Sequence, residues 1–153
     1  VALTGEVYET VAALPWRSMR VALGTDTSTE LTAHLVDWLK VQGHEVEVLA
    51  DGAPWPEVGR LVAEAVVAGR ADRGVVCCWT GTGVSIAANK VGGARAALCT
   101  DAETARGARR WNDANVLALG IRLTTPVVAE EMLEAFLGTA VDADEVATIA
   151  RLG

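Results

Sequence analysis

The sequence is short of cysteine, of histidine and of basic charge. Its three cysteines, Cys77, Cys78 and Cys99, are too few and too unevenly spaced for a disulfide framework. No Cys/His cluster has the spacing of a zinc site either, so no metal is expected. Thirteen Lys and Arg stand against twenty Asp and Glu, a formal net charge of -7. A protein that grips phosphate backbones needs clustered cations, so nucleic acid is excluded as a partner. No apolar run reaches the roughly 20 residues that span a bilayer, and no membrane partner is expected. Residues 1–18 carry Glu6 and Glu9 and lack a basic start followed by an apolar core, so they do not read as a secretory signal. What is present is a 51% hydrophobic chain of 153 residues, enough to bury the core of one ordinary domain. The expectation is a single-domain protein of a reducing compartment, the cytoplasm.

From Met19 onward, short β-rich runs alternate with helical patterns. Strands are predicted at Arg20–Gly24, Glu45–Leu49, Gly74–Cys78, Ala94–Cys99 and Asn115–Gly120. Between them, Leu31, Leu35, Trp38 and Leu39 recur at helical spacing within Ser28–Val41, as do Val58, Leu61, Val62, Ala65 and Val66 after Pro56. Further helices are predicted at Val84–Lys90, at Asp101–Arg110 with Asp101 as N-cap, and after the Thr125 cap and Pro126. The last of these buries Ala129, Met132, Leu133, Phe136 and Leu137, and Asp142–Leu152 reads as a final helix. Regular strand–helix alternation implies a three-layer α/β/α, Rossmann-like fold with a five-stranded parallel sheet, since parallel crossovers must cover both faces. Residues 1–18 fall outside the pattern and read as an N-terminal extension or as residues added in cloning; 19–153 form the domain. Ligands of such sheets bind beyond the carboxyl ends of the strands.

One of those loops stands out. Cys78-Trp79-Thr80-Gly81-Thr82-Gly83 lies between a buried strand and a helix start. Its glycines let the backbone approach a ligand, and free amides at a helix N-terminus bind negative oxygen and favour a thiolate. The same spacing also suits Cys78 as a small core residue, like Cys77, with the glycines only making a tight turn. A dinucleotide fingerprint would need its third glycine where Ile86 stands.

The stretch Thr80-Gly81-Thr82-Gly83-Val84-Ser85-Ile86-Ala87-Ala88-Asn89-Lys90 resembles the signature of the type B ribose-5-phosphate isomerases and the related galactose-6-phosphate isomerases. Ala94–Cys99, Asn112–Gly120, Arg122, Arg20–Gly24 with Asp26, and Gly43–Val46 extend the likeness from Met19 to about Thr139. The resemblance implies an enzyme of carbohydrate metabolism that interconverts aldose and ketose sugar phosphates through an enediolate, with no metal or cofactor. By position, Cys78 resembles the family's base and Thr80 its hydroxyl near the sugar oxygens. The amides of Trp79, Gly81, Thr82 and Gly83, with the Asn112 side chain, resemble its anion hole. Asp26 resembles an acid that binds sugar hydroxyls; on its own residues it also reads as the N-cap of the first helix. The resemblance further implies a homodimer or homotetramer whose sites include residues of a neighbouring subunit.

The departures bear on the substrate. Thr27 and Trp111 stand where the family has histidines, the second of which is credited with opening the sugar ring. The chain's two histidines, His34 and His44, read as structural. Trp79 replaces a glycine, and Trp55 falls near the family's Asp-Tyr-Pro segment. The basic C-terminal segment that grips phosphate is here Val141-Asp142-Ala143-Asp144-Glu145, which repels a dianion; Arg122 remains, and Arg151 is a further candidate. Arg106, Arg109 and Arg110 read as a solvated helix face from which Arg109 or Arg110 approaches the ligand. Candidate substrate-binding residues are therefore Asp26, Thr27, Trp55, Trp111 and Arg122. Two functions compete: a sugar (phosphate) isomerase with an altered pocket, and a non-catalytic sugar- or sugar-phosphate-binding regulator on the same fold. A redox role for Cys77 and Cys78 ranks last, because vicinal cysteines rarely pair.

Overall fold

The computed structural model describes residues 17–153. The extension expected from sequence thus lies, for residues 1–16, outside the described residues. Ser18 is already tied in, its hydroxyl donating to the Gly43 carbonyl at 2.7 Å. Strands β1 (Arg20–Thr25), β2 (Glu45–Asp51), β3 (Arg73–Cys78), β4 (Ala96–Leu98) and β5 (Val116–Gly120) form one parallel sheet in the order β2-β1-β3-β5-β4. Helices α1 (Glu30–Val41), α2 (Trp55–Val67), α3 (Thr82–Asn89), α4 (Ala102–Asn112) and α5 (Pro126–Gly138) connect them, and a short α6 (Val146–Ile149) follows.

Alternation along each strand sends successive side chains to opposite faces. Val21, Leu23, Val75, Cys77, Leu117 and Leu119 therefore pack under α1, α4 and α5, around Leu35, Met132, Leu133 and Phe136. Ala22, Val76, Cys78, Val116 and Ala118 pack under α2 and α3, around Val58, Val62, Val84 and Ala88. The chain turns one way from β1 to β2 and the other way from β3 onward, so the topological switch lies between β1 and β3. That crevice is where such sheets bind ligands. No helix among the described residues is long and apolar enough to cross a membrane.

Local chemistry places the helix ends. Asp101 caps α4, accepting from Thr104 N–H at 2.7 Å, and Thr125 caps α5 ahead of Pro126. Helix α1 begins two residues later than predicted. Thr29 is its cap, in a reciprocal box in which Thr32 N–H donates to Thr29 Oγ1 and Thr29 N–H donates to Thr32 Oγ1. Asp26 is therefore not the cap, and its carboxylate stays at the strand end.

Three further expectations change. Strand β4 spans three residues rather than six, because Ala94 N–H closes a turn onto Val91 and Arg95 N–H is taken by the Asn115 side chain. The final helix is instead a 3₁₀ turn (Ala143–Glu145), α6, and a second 3₁₀ turn (Ala150–Leu152). None of these buries a residue, and short helices without a packed face do not propagate. Arg109 is not on a solvated face. It is 3% exposed and donates to Asp113 Oδ1 (2.8 Å), the Ala114 carbonyl (2.5 Å) and the Thr139 carbonyl (3.1 Å). Arg110, which is exposed, pairs with Asp142 at 3.2 Å. Neither guanidinium is aimed at the carboxyl edge.

Candidate active site

The switch crevice is stitched by main-chain hydrogen bonds from the strand ends. Thr25 pairs in register with Cys77, and Cys78 with Gly120. Asp26 N–H then donates to Cys77 O (3.1 Å), Ile121 N–H to Cys78 O (2.9 Å), and Arg122 N–H to Trp79 O (3.1 Å). Asp26, Cys78, Trp79 and Arg122 are thereby brought to one edge. The loop after β3 turns back through Gly81, whose φ of 79° favours a residue without a side chain. A Cβ there would also lie 2.5 Å from Leu98 Cδ1 and 2.8 Å from the Leu119 carbonyl carbon.

That turn aims Gly81 N–H at Cys78 Sγ, 3.2 Å away. Cys78 is buried at 4% exposure, so the small-core reading holds for its packing. Its sulfur nonetheless accepts a main-chain donor, the contact through which a backbone stabilises negative charge. Cys77 points into the opposite core, where burial, then the neighbouring Cys78 and Asp26, push its thiol up. Cys99 is pushed up to about 11, mainly by burial and then by Asp101. Gly81 spends its N–H on sulfur, so among the expected anion-hole amides it serves the thiol. Thr82 and Gly83 open α3, where N–H groups lack intrahelical acceptors.

Around this loop, Thr80 and Thr82 share a hydroxyl–hydroxyl hydrogen bond of 2.8 Å. Trp55, at the start of α2, lies against Gly83: a Cβ on Gly83 would sit 2.9 Å from Trp55 Cδ2. Trp55 and Trp79 are 45% and 58% exposed. Asp26 Oδ1 is buried and makes no hydrogen bond; an acceptor left so is costly until a donor arrives. Sequence reasoning missed two supports. Thr25, 1% exposed, donates from its hydroxyl to Thr27 O (2.7 Å) and accepts from Thr27 N–H (3.3 Å), shaping the turn that carries Asp26; Thr-x-Thr after a strand is the available signal. Gly120 lets Thr80 O approach to 2.8 Å of where its Cβ would be, and a glycine ending a central strand marks such contact.

Trp111 and Asn112 are not brought to this edge. They end α4, which runs back from the carboxyl edge, and β5 then spans Val116 to Gly120 before reaching the level of Cys78. The four steps amount to roughly 13 Å at ~3.3 Å per residue. Asn112 lines a cavity of about 720 Å³ with Arg95, Asp113 and Leu152, and with Trp111 a groove along β4 and Gly107. The neighbouring Asp113 and Asn115 are structural. Asp113, at φ 46°, accepts from Arg95 (3.0 Å) and Arg109 (2.8 Å), and Asn115 bonds Arg95 N–H and Gly93 O.

The doubly wound parallel sheet carries Asp26, Cys78 and Arg122 at the carboxyl edge, the edge at which α/β sheets of this kind bind ligands. Residues 21–151 match the model of the family described as Ribose/Galactose Isomerase. The chain is 37% identical over 130 residues to the ribose-5-phosphate isomerase B of Escherichia coli K12, covering 78% of this chain and 83% of that protein. It is 35% identical over 125 residues to the D-erythrulose-4-phosphate isomerase of Pectobacterium atrosepticum, covering 78% and 82%. The structure of the Clostridium thermocellum ribose-5-phosphate isomerase B superposes with a TM-score of 0.82 at 38% identity, covering 88% of this chain and 95% of that one. The chain belongs to the Ribose/Galactose Isomerase family and is an isomerase of the sugar-phosphate class.

Proposed function

We propose that the chain interconverts an aldose phosphate and a ketose phosphate, with Cys78 moving one proton between C2 and C1. In the aldose-to-ketose direction the Cys78 thiolate takes the C2 proton and the C2–H electron pair forms the C1=C2 bond of an enediolate. The former carbonyl oxygen on C1 takes the negative charge. The sulfur then returns the proton to C1, and the hydroxyl proton of O2 passes to O1. Amides at the start of α3 and the Thr80 hydroxyl stabilise the oxyanion, Asp26 accepts from sugar hydroxyls, and Arg122 faces the phosphate. Trp55, Trp79 and Thr27 alter the pocket wall. The observation that carries this reading is the Gly81 N–H donated to Cys78 Sγ; the buried Asp26 oxygen at the same strand edge, with no hydrogen bond of its own, supports it.

The test is proton exchange with solvent. Purified protein in deuterium oxide, given aldose phosphates of four to six carbons, is expected to place deuterium at C1 of the ketose product, read by NMR. No incorporation with any of them would sink the proposal.

Trp111 and Asn112 enter the site, on this reading, from a second copy of the chain. What supports it is their position at the opposite edge beside the edge strand β4, with Trp111 53% and Leu98 37% exposed. Complementation follows. Cys78→Ser and Asn112→Ala proteins, each nearly inactive alone, are expected to regain roughly a quarter of wild-type activity after unfolding and refolding together. Random pairing makes half the dimers mixed, and each mixed dimer holds one intact site. If activity stays at the mean of the two parents, the sites lie within single chains.

A further inference from the structure

Resting on the isomerase reading, we propose that Thr82 is a catalytic residue whose hydroxyl, paired with that of Thr80, carries the O2 proton of the enediolate to O1. Isomerisation moves two protons. Cys78 moves the one on carbon; the one on oxygen must travel between neighbouring atoms of the same sugar. A direct hop within the enediolate bends O–H···O well below the ~150° that hydrogen bonds prefer. A relay outside the sugar straightens each transfer. It needs one group that accepts at O2 while another donates at O1.

The loop after β3 presents that arrangement. Thr80 Oγ1 and Thr82 Oγ1 lie 2.8 Å apart, and both residues are exposed. Among the described residues, each hydroxyl has the other as its only hydrogen-bond partner. A hydroxyl owns one proton and two lone-pair sites. Whichever of the two donates to the other, the pair keeps one proton to give and lone pairs with which to accept. Thr82 opens α3, where its hydroxyl is not spent on a capping bond. Gly81, between the two threonines, turns the chain at φ 79° and gives its N–H to Cys78 Sγ at 3.2 Å. One residue's backbone thus ties the hydroxyl pair to the carbon base.

The relay balances without an ion. The O2–H bond breaks as its proton joins Thr82 Oγ1, the Thr82 proton passes to Thr80 Oγ1, and the Thr80 proton passes to O1. The electron pair left on O2 becomes C2=O, and the C1=C2 pair takes the proton that Cys78 returns to C1. Each threonine gains and loses one proton, so no alkoxide forms and the weak acidity of a hydroxyl is no obstacle. Run backwards, the same three transfers serve the ketose-to-aldose direction. Two carboxylates share this edge, Asp26 and, opposite Thr25 in register, Asp51. A route through either of them bypasses Thr82, and the experiment separates it.

Purified wild type, Thr82→Val and Thr82→Ser are compared in deuterium oxide, with melting temperature as a control for folding. The probe is whichever of D-erythrose 4-phosphate, D-ribose 5-phosphate and D-galactose 6-phosphate the wild type converts fastest. NMR reads the ketose formed and the deuterium at C2 of the recovered aldose. Without the relay the enediolate still forms, cannot go forward, and returns to aldose carrying solvent deuterium. For Thr82→Val, ketose formation is expected to fall ~100-fold, the low end of what positioned proton transfer supplies, with the ratio of C2 exchange to conversion raised at least ~10-fold. Thr82→Ser keeps the hydroxyl and is expected to stay within about threefold of wild type on both measures. Thr82→Ala, which lacks both hydroxyl and bulk, is expected to follow Thr82→Val. A valine variant that converts at the wild-type rate would overturn the inference, since the proton then travels by Asp26, Asp51 or directly. Slower conversion at an unchanged ratio would overturn it too, because Thr82 would then shape the loop and move no proton. So would a serine variant as slow as the valine one. Each of these leaves the isomerase reading standing. No deuterium uptake by wild type from any probe would overturn that reading and this inference together.

Discussion

Cys78→Ser is expected to lower kcat by about 10²–10⁴-fold, the span associated with a positioned general base, while KM changes less than about threefold. Serine keeps the size of the residue and can still accept from Gly81 N–H, so the loop and the core beneath it have no reason to move. A hydroxyl is a far weaker acid than a thiol, so serine cannot stand in as the base. Steady-state kinetics on the preferred sugar phosphate, with melting temperature as a control for folding, read the result. A variant with unchanged kcat would remove Cys78 from the chemistry. Cys77→Ser and Cys99→Ser serve as comparisons: both thiols are buried and pushed up by burial, and their loss should register in stability and not in the chemical step.

Gly81→Ala is expected to cost stability and activity together. The backbone there sits at φ 79°, where a side chain costs about 1–2 kcal/mol. The new Cβ would meet Leu119 and Gly120 backbone atoms at 2.8 and 2.9 Å, which cannot yield as a side-chain tip can, adding about 1–3 kcal/mol. The sum, about 2–5 kcal/mol, lowers the melting temperature by roughly 6–15 °C for a domain of this size. Because the displaced N–H is the one held by Cys78 Sγ, kcat should fall at least about tenfold even well below the melting temperature. Gly92→Ala is the control, with no atom within 4 Å of the added Cβ; its stability should stay within about 0.5 kcal/mol. A Gly81→Ala protein as stable and active as wild type would mean that the loop relaxes freely and that its geometry does not hold the sulfur.

Much of this was legible before any coordinates. The periodicity of Leu31, Leu35, Trp38 and Leu39, the caps Asp101 and Thr125, and the unbroken apolar run at Gly74–Cys78 give helices and a buried strand on chemistry that acts over a few residues. The Thr80–Lys90 stretch carried the family. The misreadings share a cause. Asp26 looked like a cap because capping is local, yet Thr29 and Thr32 cap each other and win the position. Arg109 looked like surface because Arg usually is, and only the fold brings Asp113, Ala114 and Thr139 round it. The Asp142–Leu152 helix failed because its residues found no face to bury.

The amino-acid order by itself determined the strand–helix alternation, the family, and the set of side chains available for chemistry, including the want of a third histidine. Those follow from local propensity and residue identity. Which groups stand together was decided by tertiary structure alone. Strand order places β1 beside β3 and so puts Asp26 next to Cys78, although 51 positions separate them. The direction of α4 carries Trp111 and Asn112 to the far edge, although they lie closer to Arg122 in sequence. Chain proximity constrains local conformation only, whereas proximity in space is set by how the sheet closes over its two cores.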